Sequence, residues 1–359
     1  MQTGIVGIPQ VGKTTLFRIL TRAHLEEKAG RGATHIGVAR VPEPRIDQLA
    51  ALYKPRKVTY ATVEYVDVGG IVRDRARDSA LAAQLREVDA LAHVLRVFED
   101  PAVPHPAGSI DPLRDAQSLD LELMLSDLEQ IERRLERVEK DLKKKKDPVV
   151  EHEHALLTRC RTAIENEHAL RELEFTPEER KILTSFMFLS LRPMLYVLNL
   201  GDDEVDKLDT AVERHGLEKL KARPQNALVA VCGRIEAELA ELDDAAAAAE
   251  LLTAYGLKEP GLHRLIHATY DLLGLISFFT AGEPEVRAWT IRRGTRAVNA
   301  AGVIHTDLER NFIRAEVVSC GDLLTAGSWP AARDKGQVRL EGKDYIVQEG
   351  DVILFRHSG

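Results

Sequence analysis

The chain has 359 residues, and at roughly 150 residues per domain this length predicts two or three folding units. Hydrophobic residues make up 44% and charged residues 30%, which excludes a disordered chain, and the net charge of −8 excludes a wholly basic nucleic-acid binder of the histone type. Three cysteines are too few for a disulfide framework and no apolar run approaches the roughly 20 residues that cross a bilayer, so we expect a cytoplasmic protein without a membrane anchor.

The first predicted elements are a buried strand over residues 4–6, a glycine loop, and a helix whose apolar positions start at Leu16. Residues 7–14 fit the pattern G-x-x-x-x-G-K-T in the strand–loop–helix setting that holds phosphate. There Lys13 would reach the terminal phosphates as the catalytic cation. The alternative is a glycine turn with a solvated lysine, but then the spacing of the two glycines, the lysine and the threonine would be a coincidence. The predicted phosphate ligands are Pro9, Gln10, Val11, Gly12, Lys13, Thr14 and Thr15, and Thr14 is also a predicted magnesium ligand.

Four further apolar runs predict the strands of a largely parallel sheet, at residues 58–66, 90–97, 194–198 and 227–231. Runs of this length separated by helical segments are typical of the α/β class, in which helices cover the faces of the sheet. We therefore predict a P-loop NTPase (GTPase-like) sheet domain made of residues 1–115 and 191–275.

Between the runs at 90–97 and 194–198 lies a long segment with a heptad seam, formed by Leu121, Met124, Leu128, Ile131, Leu135, Val138 and Leu142. Asp147-Pro148 follows four lysines and predicts a chain reversal into a second helix, and Thr176 and Glu179 predict a capping box. Two interpretations stay open, two helices of an ordinary bundle or an inserted antiparallel helical arm over residues 116–190. The heavy charge between the seam positions favours the arm.

A small β-rich domain is predicted at the C-terminal end, over residues 276–359, after a helical stretch at 246–273. Residues 286–291 alternate between apolar and polar side chains, and residues 345–347 and 352–355 read as strands separated by a Glu-Gly-Asp turn.

Polar residues and glycines follow several predicted strands, at the sheet edge where α/β proteins bind ligands. Asp67 is placed to hold magnesium, and Gly70 to bring its N–H to a terminal phosphate. The segments after the strands at 194–198 and 227–231 supply the candidate base-binding residues, which are Asn199, Leu200, Asp202, Cys232 and Gly233. Each of these segments taken alone is also a common turn signal.

These segments follow the order of a guanine-nucleotide switch domain, and nearly the whole chain resembles the YchF-type (Obg-like) ATPases of the Obg family. Besides the phosphate loop, the resemblance rests on residues 67–72, 196–199 and 234–239, and on a C-terminal end similar to the family's TGS domain at 279–282, 287–291, 301–307 and 340–347. It implies a β-grasp-like TGS domain, slow hydrolysis of ATP or GTP with Mg²⁺, and association with the ribosome.

Several residues of this chain bear on which properties of the family it is expected to share. Gln10 stands where the family usually has Asn, so a potassium site is not carried over. Leu200 replaces the Lys of ordinary GTPases, as in the family, whereas Asp202 replaces the family's usual Glu. Ile71 occupies the position of the water-orienting Gln of Ras-like switches, which predicts slow hydrolysis. Thr34 is the hydroxyl available in the first switch segment and is assigned as a second magnesium ligand.

Two classes of function follow from these residues. The favoured one is a molecular switch driven by a purine triphosphate, with ATP preferred over GTP and the ribosome or ribosomal RNA as partner; a strict GTPase is the alternative. The less favoured one is a P-loop kinase acting on a small acceptor. The lysines at 143–146 and the arginines at 292, 293 and 296 are candidate contacts to RNA phosphate, and neither DNA nor a membrane is an expected partner.

Overall fold

A computed structural model describes residues 1–21, 35–68, 79–242 and 244–358 of the chain. The strands are β1 (Gln2–Val6), β2 (His35–Arg40), β3 (Val58–Thr59), β4 (Thr62–Asp67), β5 (Ala90–Arg96), β6 (Met194–Asn199), β7 (Asn226–Val231), β8 (Leu275–Ala281), β9 (Val286–Arg292), β10 (Phe312–Ser319), β11 (Arg339–Glu341) and β12 (Asp351–His357). The helices are α1 (Lys13–Thr21), α2 (Pro44–Tyr53), α3 (Ser79–Glu87), α4 (Pro112–Lys144), α5 (Pro148–Glu165), α6 (Pro177–Thr184), α7 (Ala211–Arg214), α8 (Glu218–Lys221), α9 (Gly233–Ala240), α10 (Ala245–Ala254), α11 (Gly261–Leu272), α12 (Ala297–Ile304), α13 (Thr306–Arg310), α14 (Cys320–Ala326) and α15 (Trp329–Asp334). Two 3₁₀ helices span Leu170–Glu172 and Asp202–Thr210.

The chain divides into two compact units. The first contains Met1–Val38 and Glu64–Leu272, and the second contains Ala39–Val63 and Leu273–Gly359. Residues 39–63, which the sequence analysis placed in the NTPase domain, therefore cluster with the C-terminal part of the chain. The helices of residues 116–190 belong to the first unit.

The first unit is built on a six-stranded sheet with the order β2-β4-β1-β5-β6-β7. The pairs β1–β4, β1–β5, β5–β6 and β6–β7 are parallel, as the runs of apolar residues predicted. Every residue of β5 and of β6 is buried, because helices cover both faces of a parallel sheet. The carboxyl ends of β1, β4, β6 and β7 therefore lie along one edge, where the candidate site residues follow.

The long helices α4 and α5 pack against each other through an apolar cluster that includes Ile131, Leu135, Leu157 and Cys160. The predicted chain reversal is confirmed, because Asp147 caps α5 by accepting from the Val149 backbone N–H. The predicted seam holds less well at its start: Leu121 is 47% exposed.

The base of these helices is joined to the sheet by a buried polar cluster. Arg171 donates to both carboxylate oxygens of Asp120 at 2.7 Å, and the Tyr196 hydroxyl on β6 donates to the same carboxylate at 2.7 Å. The capping box at the start of α6 is present with both of its hydrogen bonds, from Thr176 and Glu179.

The second unit contains a six-stranded sheet with the order β11-β10-β12-β8-β9-β3. Strand β12 runs parallel to β8 at the centre, and the hairpin β8–β9 and the pair β10–β12 are antiparallel, which is a β-grasp-like arrangement with α12 packed in the core. Segment 39–63 belongs to this unit through β3, which pairs with β9, and through Arg45 of α2, which is ion-paired with Glu349.

Two predicted strands differ in the structure. The run at 58–66 is two strands in two sheets, because β3 pairs with β9 whereas β4 pairs with β1, and the Ala61 carbonyl between them accepts from the Val41 N–H. Residues 345–347 form only a single bridge between Ile346 and Arg296.

Candidate nucleotide-binding site

The loop between β1 and α1 has the curled backbone that a phosphate cradle needs. Gly7 has φ +147° and an added Cβ would lie 2.7 Å from the Val94 carbonyl oxygen, so this position excludes larger residues. Gly12 has φ +97°, and α1 begins at the next residue, as the sequence predicted. The first N–H groups of α1 thus face the loop with the positive end of the helix dipole.

Lys13 is held inside the loop. Its side chain is 8% exposed, and Nζ donates to the Ile8 carbonyl oxygen at 2.7 Å. Burial lowers the pKa of Lys13 to about 8, and the nearby Asp67 carboxylate acts in the opposite direction. A phosphate oxygen that replaced the Ile8 carbonyl would give this buried ammonium an anionic partner.

Thr14 and Asp67 meet across the edge of the sheet. The Thr14 hydroxyl donates to Asp67 Oδ2 at 3.3 Å, which joins the start of α1 to the end of β4. Burial raises the pKa of Asp67, while Lys13 and Thr14 act to lower it. A hydroxyl and a carboxylate are hard oxygen donors of the kind that Mg²⁺ prefers, so these two residues fit that ion. The other two predicted contacts, Thr34 and Gly70, lie outside the described residues, as does Ile71.

Asn199 connects two loops of the site. Its Nδ2 donates to the Val11 carbonyl oxygen at 3.0 Å, and its Oδ1 accepts from the Gly233 backbone N–H at 2.9 Å. Cβ atoms built on Gly12 and Gly233 would lie 2.4 Å and 3.0 Å from this side-chain amide, so both glycines make room for it. The amide of Asn199 is therefore a brace between the phosphate loop and the loop after β7.

The other candidate base-binding residues divide into buried and exposed groups. Leu200 is 2% exposed and Cys232 is 1% exposed, and both side chains pack in the hydrophobic core of the first unit. Asp202 is the exposed member, and its Oδ2 lies 2.8 Å from Nη1 of Arg234.

A polar cluster that the sequence analysis did not select lies beside the start of the phosphate loop. His93 on β5 is 1% exposed, and burial lowers its pKa to about 4, so the ring is neutral near pH 7. It lines a cavity of about 110 Å³ together with Gly7 and Asp115. Nε2 of His105 lies 3.1 Å from Asp115 Oδ2. His93 stands inside an apolar run, so its sequence context gave only the signal of a strand.

The structure thus places the phosphate loop, Lys13, Thr14, Asp67 and the Asn199 brace at one edge of one sheet. A helix N-terminus, a buried cation and two oxygen donors that suit a metal are the groups that a triphosphate site needs.

Comparisons with known proteins show that nearly the full length of the chain is similar to ribosome-binding and Obg-like ATPases. The chain is 40% identical over 365 residues to the ribosome-binding ATPase YchF of Bacillus subtilis, covering 100% of this chain and 99% of that protein. It is 41% identical over 362 residues to the ribosome-binding ATPase YchF of Escherichia coli O157:H7, with 98% of each chain covered. Obg-like ATPase 1 of rice is 34% identical, covering 100% of this chain and 92% of that one.

Two family models, which match different parts of the chain, and one solved structure agree with this similarity. Residues 2–152 match the family described as 50S ribosome-binding GTPase, and residues 275–358 match the C-terminal family of YchF GTPases, which is described as of unknown function. The solved structure of the YchF GTPase of Schizosaccharomyces pombe superimposes with a TM-score of 0.87 at 29% identity, covering 99% of this chain and 97% of that one. Among the described residues, no helix is long and apolar enough to span a membrane.

Proposed function

The chain belongs to the YchF family of ribosome-binding ATPases, and from that premise we propose that it is a molecular switch that binds and slowly hydrolyses a purine nucleoside triphosphate and associates with the ribosome. The observation that carries the proposal is the triad of Lys13, Thr14 and Asp67 at the mouth of the phosphate loop.

Each member of the triad has a role that follows from its surroundings. Lys13, which is buried and donates to the Ile8 carbonyl oxygen, exchanges that bond for bonds to the terminal phosphates and balances their charge. Thr14 and Asp67 would hold Mg²⁺, which would neutralise charge on the phosphates. The backbone N–H groups from Gln10 to Thr15 orient the triphosphate.

We propose that the chain accepts ATP at least as well as GTP. The relatives named above carry ATPase in their names, whereas the superimposed structure carries GTPase. The preference for ATP or GTP is therefore argued from the residues of the site. Asn199 is occupied with bracing two loops, Leu200 is buried, and Asp202 is paired with Arg234. A carboxylate that is already paired gives guanine little advantage over adenine.

We also propose the domain division that the sequence predicted. Residues 1–115 and 191–275 form the NTPase domain, residues 116–190 the helical arm and residues 276–359 the TGS domain. The arm carries exposed lysines at 143–146, which suit RNA phosphate. Segment 39–63 is the exception in this scheme, because its contacts are with the TGS residues.

Phosphate release from ATP and from GTP, measured with the full chain in the presence and absence of ribosomes, tests the proposal. We expect slow release that requires Mg²⁺ and disappears in Lys13→Ala. Transfer of phosphate to a nucleoside or another small acceptor, in place of water, would contradict the switch and support a kinase.

A further inference from the structure

The ion pair between Asp202 and Arg234 lies at the edge of the nucleotide site. Asp202 is the first residue of the 3₁₀ helix after β6, and Arg234 is the second residue of α9, directly after Gly233, whose N–H is held by Asn199. Nη1 of Arg234 lies 2.8 Å from Asp202 Oδ2, and Nε lies 3.9 Å from Glu238 one turn further along α9. Both members are accessible, since the side chains are 71% and 45% exposed for Arg234 and Asp202.

We propose that Arg234 is a specificity-determining residue of the nucleotide site: by holding Asp202 in an ion pair, it lowers the affinity for guanine nucleotides relative to adenine nucleotides. This role rests on the proposed function, because it concerns the base of the nucleotide whose phosphates the loop is expected to hold.

The hydrogen-bonding edges of the two bases give the physical reason. Guanine presents two donors side by side, N1–H and the 2-amino group, and an ionised carboxylate accepts both with charge-assisted bonds. Adenine presents an acceptor at N1 and no group at C2, so a free carboxylate offers it no such pair of bonds. Asp202 would therefore favour guanine if its oxygens were free.

Arg234 alters this balance because its guanidinium competes for the same oxygens. Nη1 of Arg234 contacts one carboxylate oxygen of Asp202, the planar guanidinium has further N–H donors for the other, and Glu238 lies 3.9 Å from its Nε. Guanine must share or displace this cation, whereas adenine has no N–H donor at N1 or C2 with which to compete for it. Since the pair is exposed to solvent, its effect on relative affinity is moderate, about twofold to fivefold.

The test measures dissociation constants for ATP, GTP and ITP at one magnesium concentration, in the parent and in Arg234→Ala. ITP is informative because hypoxanthine keeps N1–H and lacks the 2-amino group. We expect Arg234→Ala to raise the ratio of GTP affinity to ATP affinity about twofold to fivefold, with a smaller rise for ITP. Arg234→Lys, which keeps the charge without the planar guanidinium, is expected to fall between the two.

Two controls separate this role from a general effect of charge. Arg214→Ala removes a similar exposed arginine that is paired with Glu204 of the same 3₁₀ helix, and we expect the ratio to stay at the parent value. In an Asp202→Asn background, Arg234→Ala is expected to leave the ratio unchanged, because the carboxylate through which it acts is gone.

Equal shifts for ATP and GTP in Arg234→Ala, or a change that persists in the Asp202→Asn background, would overturn the role of Arg234. If the parent binds ATP and Arg234→Ala binds GTP no better than before, only this inference fails. A parent that binds no purine triphosphate would overturn the proposed function, and with it the role of Arg234.

Discussion

At the scale of single residues, the charge state of Lys13 decides how the empty site responds to pH. Burial lowers the pKa of Lys13 to about 8, and a bound triphosphate would raise it again by placing anions against the ammonium. Binding therefore takes up a proton at alkaline pH. We expect the affinity for triphosphate to fall about tenfold between pH 7 and pH 9, as the protonated fraction in the empty site decreases.

Titration calorimetry in buffers of different ionisation enthalpy measures both the affinity and the proton uptake. An affinity that stays constant over this range, with no proton uptake at pH 9, would contradict the buried ammonium.

Asn199 provides a second prediction at this scale. Asn199→Ala leaves the Val11 carbonyl and the Gly233 N–H without their side-chain partner, and an unsatisfied buried group costs about 1–3 kcal/mol. We expect a loss of unfolding free energy of this size in urea, together with weaker nucleotide binding, because both loops lose their brace. Asn166→Ala is the matched control, since the Asn166 amide is exposed and bonds only within the end of α5. Equal losses in both variants would show that Asn199 has no special bracing role.

At the scale of elements, the buried contact between Asp120 of α4 and Arg171 anchors the long helices to the sheet. Asp120→Ala leaves the fully buried guanidinium of Arg171 without its carboxylate, and breaking such a pair costs about 3–5 kcal/mol. The control is Glu153→Ala, which removes the partner of the more exposed Arg134 between α4 and α5 and should cost about 1 kcal/mol or less. Urea unfolding of both variants gives the comparison, and similar costs would contradict the anchoring role.

Comparison of the predicted and observed elements shows which parts of the fold leave a signal in the sequence. Periodicity and caps located β5, β6, β7 and the start of α5, because buried parallel strands and Asp-Pro helix starts leave local signals. The division of residues 58–66 between two sheets has no local signal, since a strand reads the same whichever sheet it joins. The Asn199 brace and the Asp202–Arg234 pair depend on residues that are distant in sequence, so only the folded chain brings them together.

At the scale of the whole molecule, the two units share a chain that crosses between them more than once. Segment 39–63 includes the first two residues of β4, and β4 carries Asp67 of the candidate nucleotide site at its other end. The segment itself is held among TGS residues by Arg45, Glu349 and the β3–β9 pairing. One covalent strand therefore links the carboxylate of Asp67 to a piece of the C-terminal unit.

Association with the ribosome is the prediction that belongs to this scale. Replacing the four lysines at 143–146 by alanine is expected to weaken co-sedimentation with ribosomes and to reduce its dependence on salt, because fewer cations are released from RNA phosphate. Phosphate release by the free protein should stay at the parent rate, since these residues lie at the end of α4 and in the turn after it. If the variant and the parent co-sediment equally at every salt concentration, the four lysines contribute to solubility and not to ribosome binding.

The affinity of the phosphate loop for ATP and GTP is the property on which the proposed switch depends most directly. The decisive measurement is the pair of dissociation constants at one magnesium concentration, in the parent and in Lys13→Ala. We expect ATP to bind at least as tightly as GTP, and Lys13→Ala to weaken both about 100-fold or more, since two charge-assisted bonds contribute about 1.5–3 kcal/mol each. Parent affinity in Lys13→Ala, or GTP bound more than about tenfold tighter than ATP, would contradict the account.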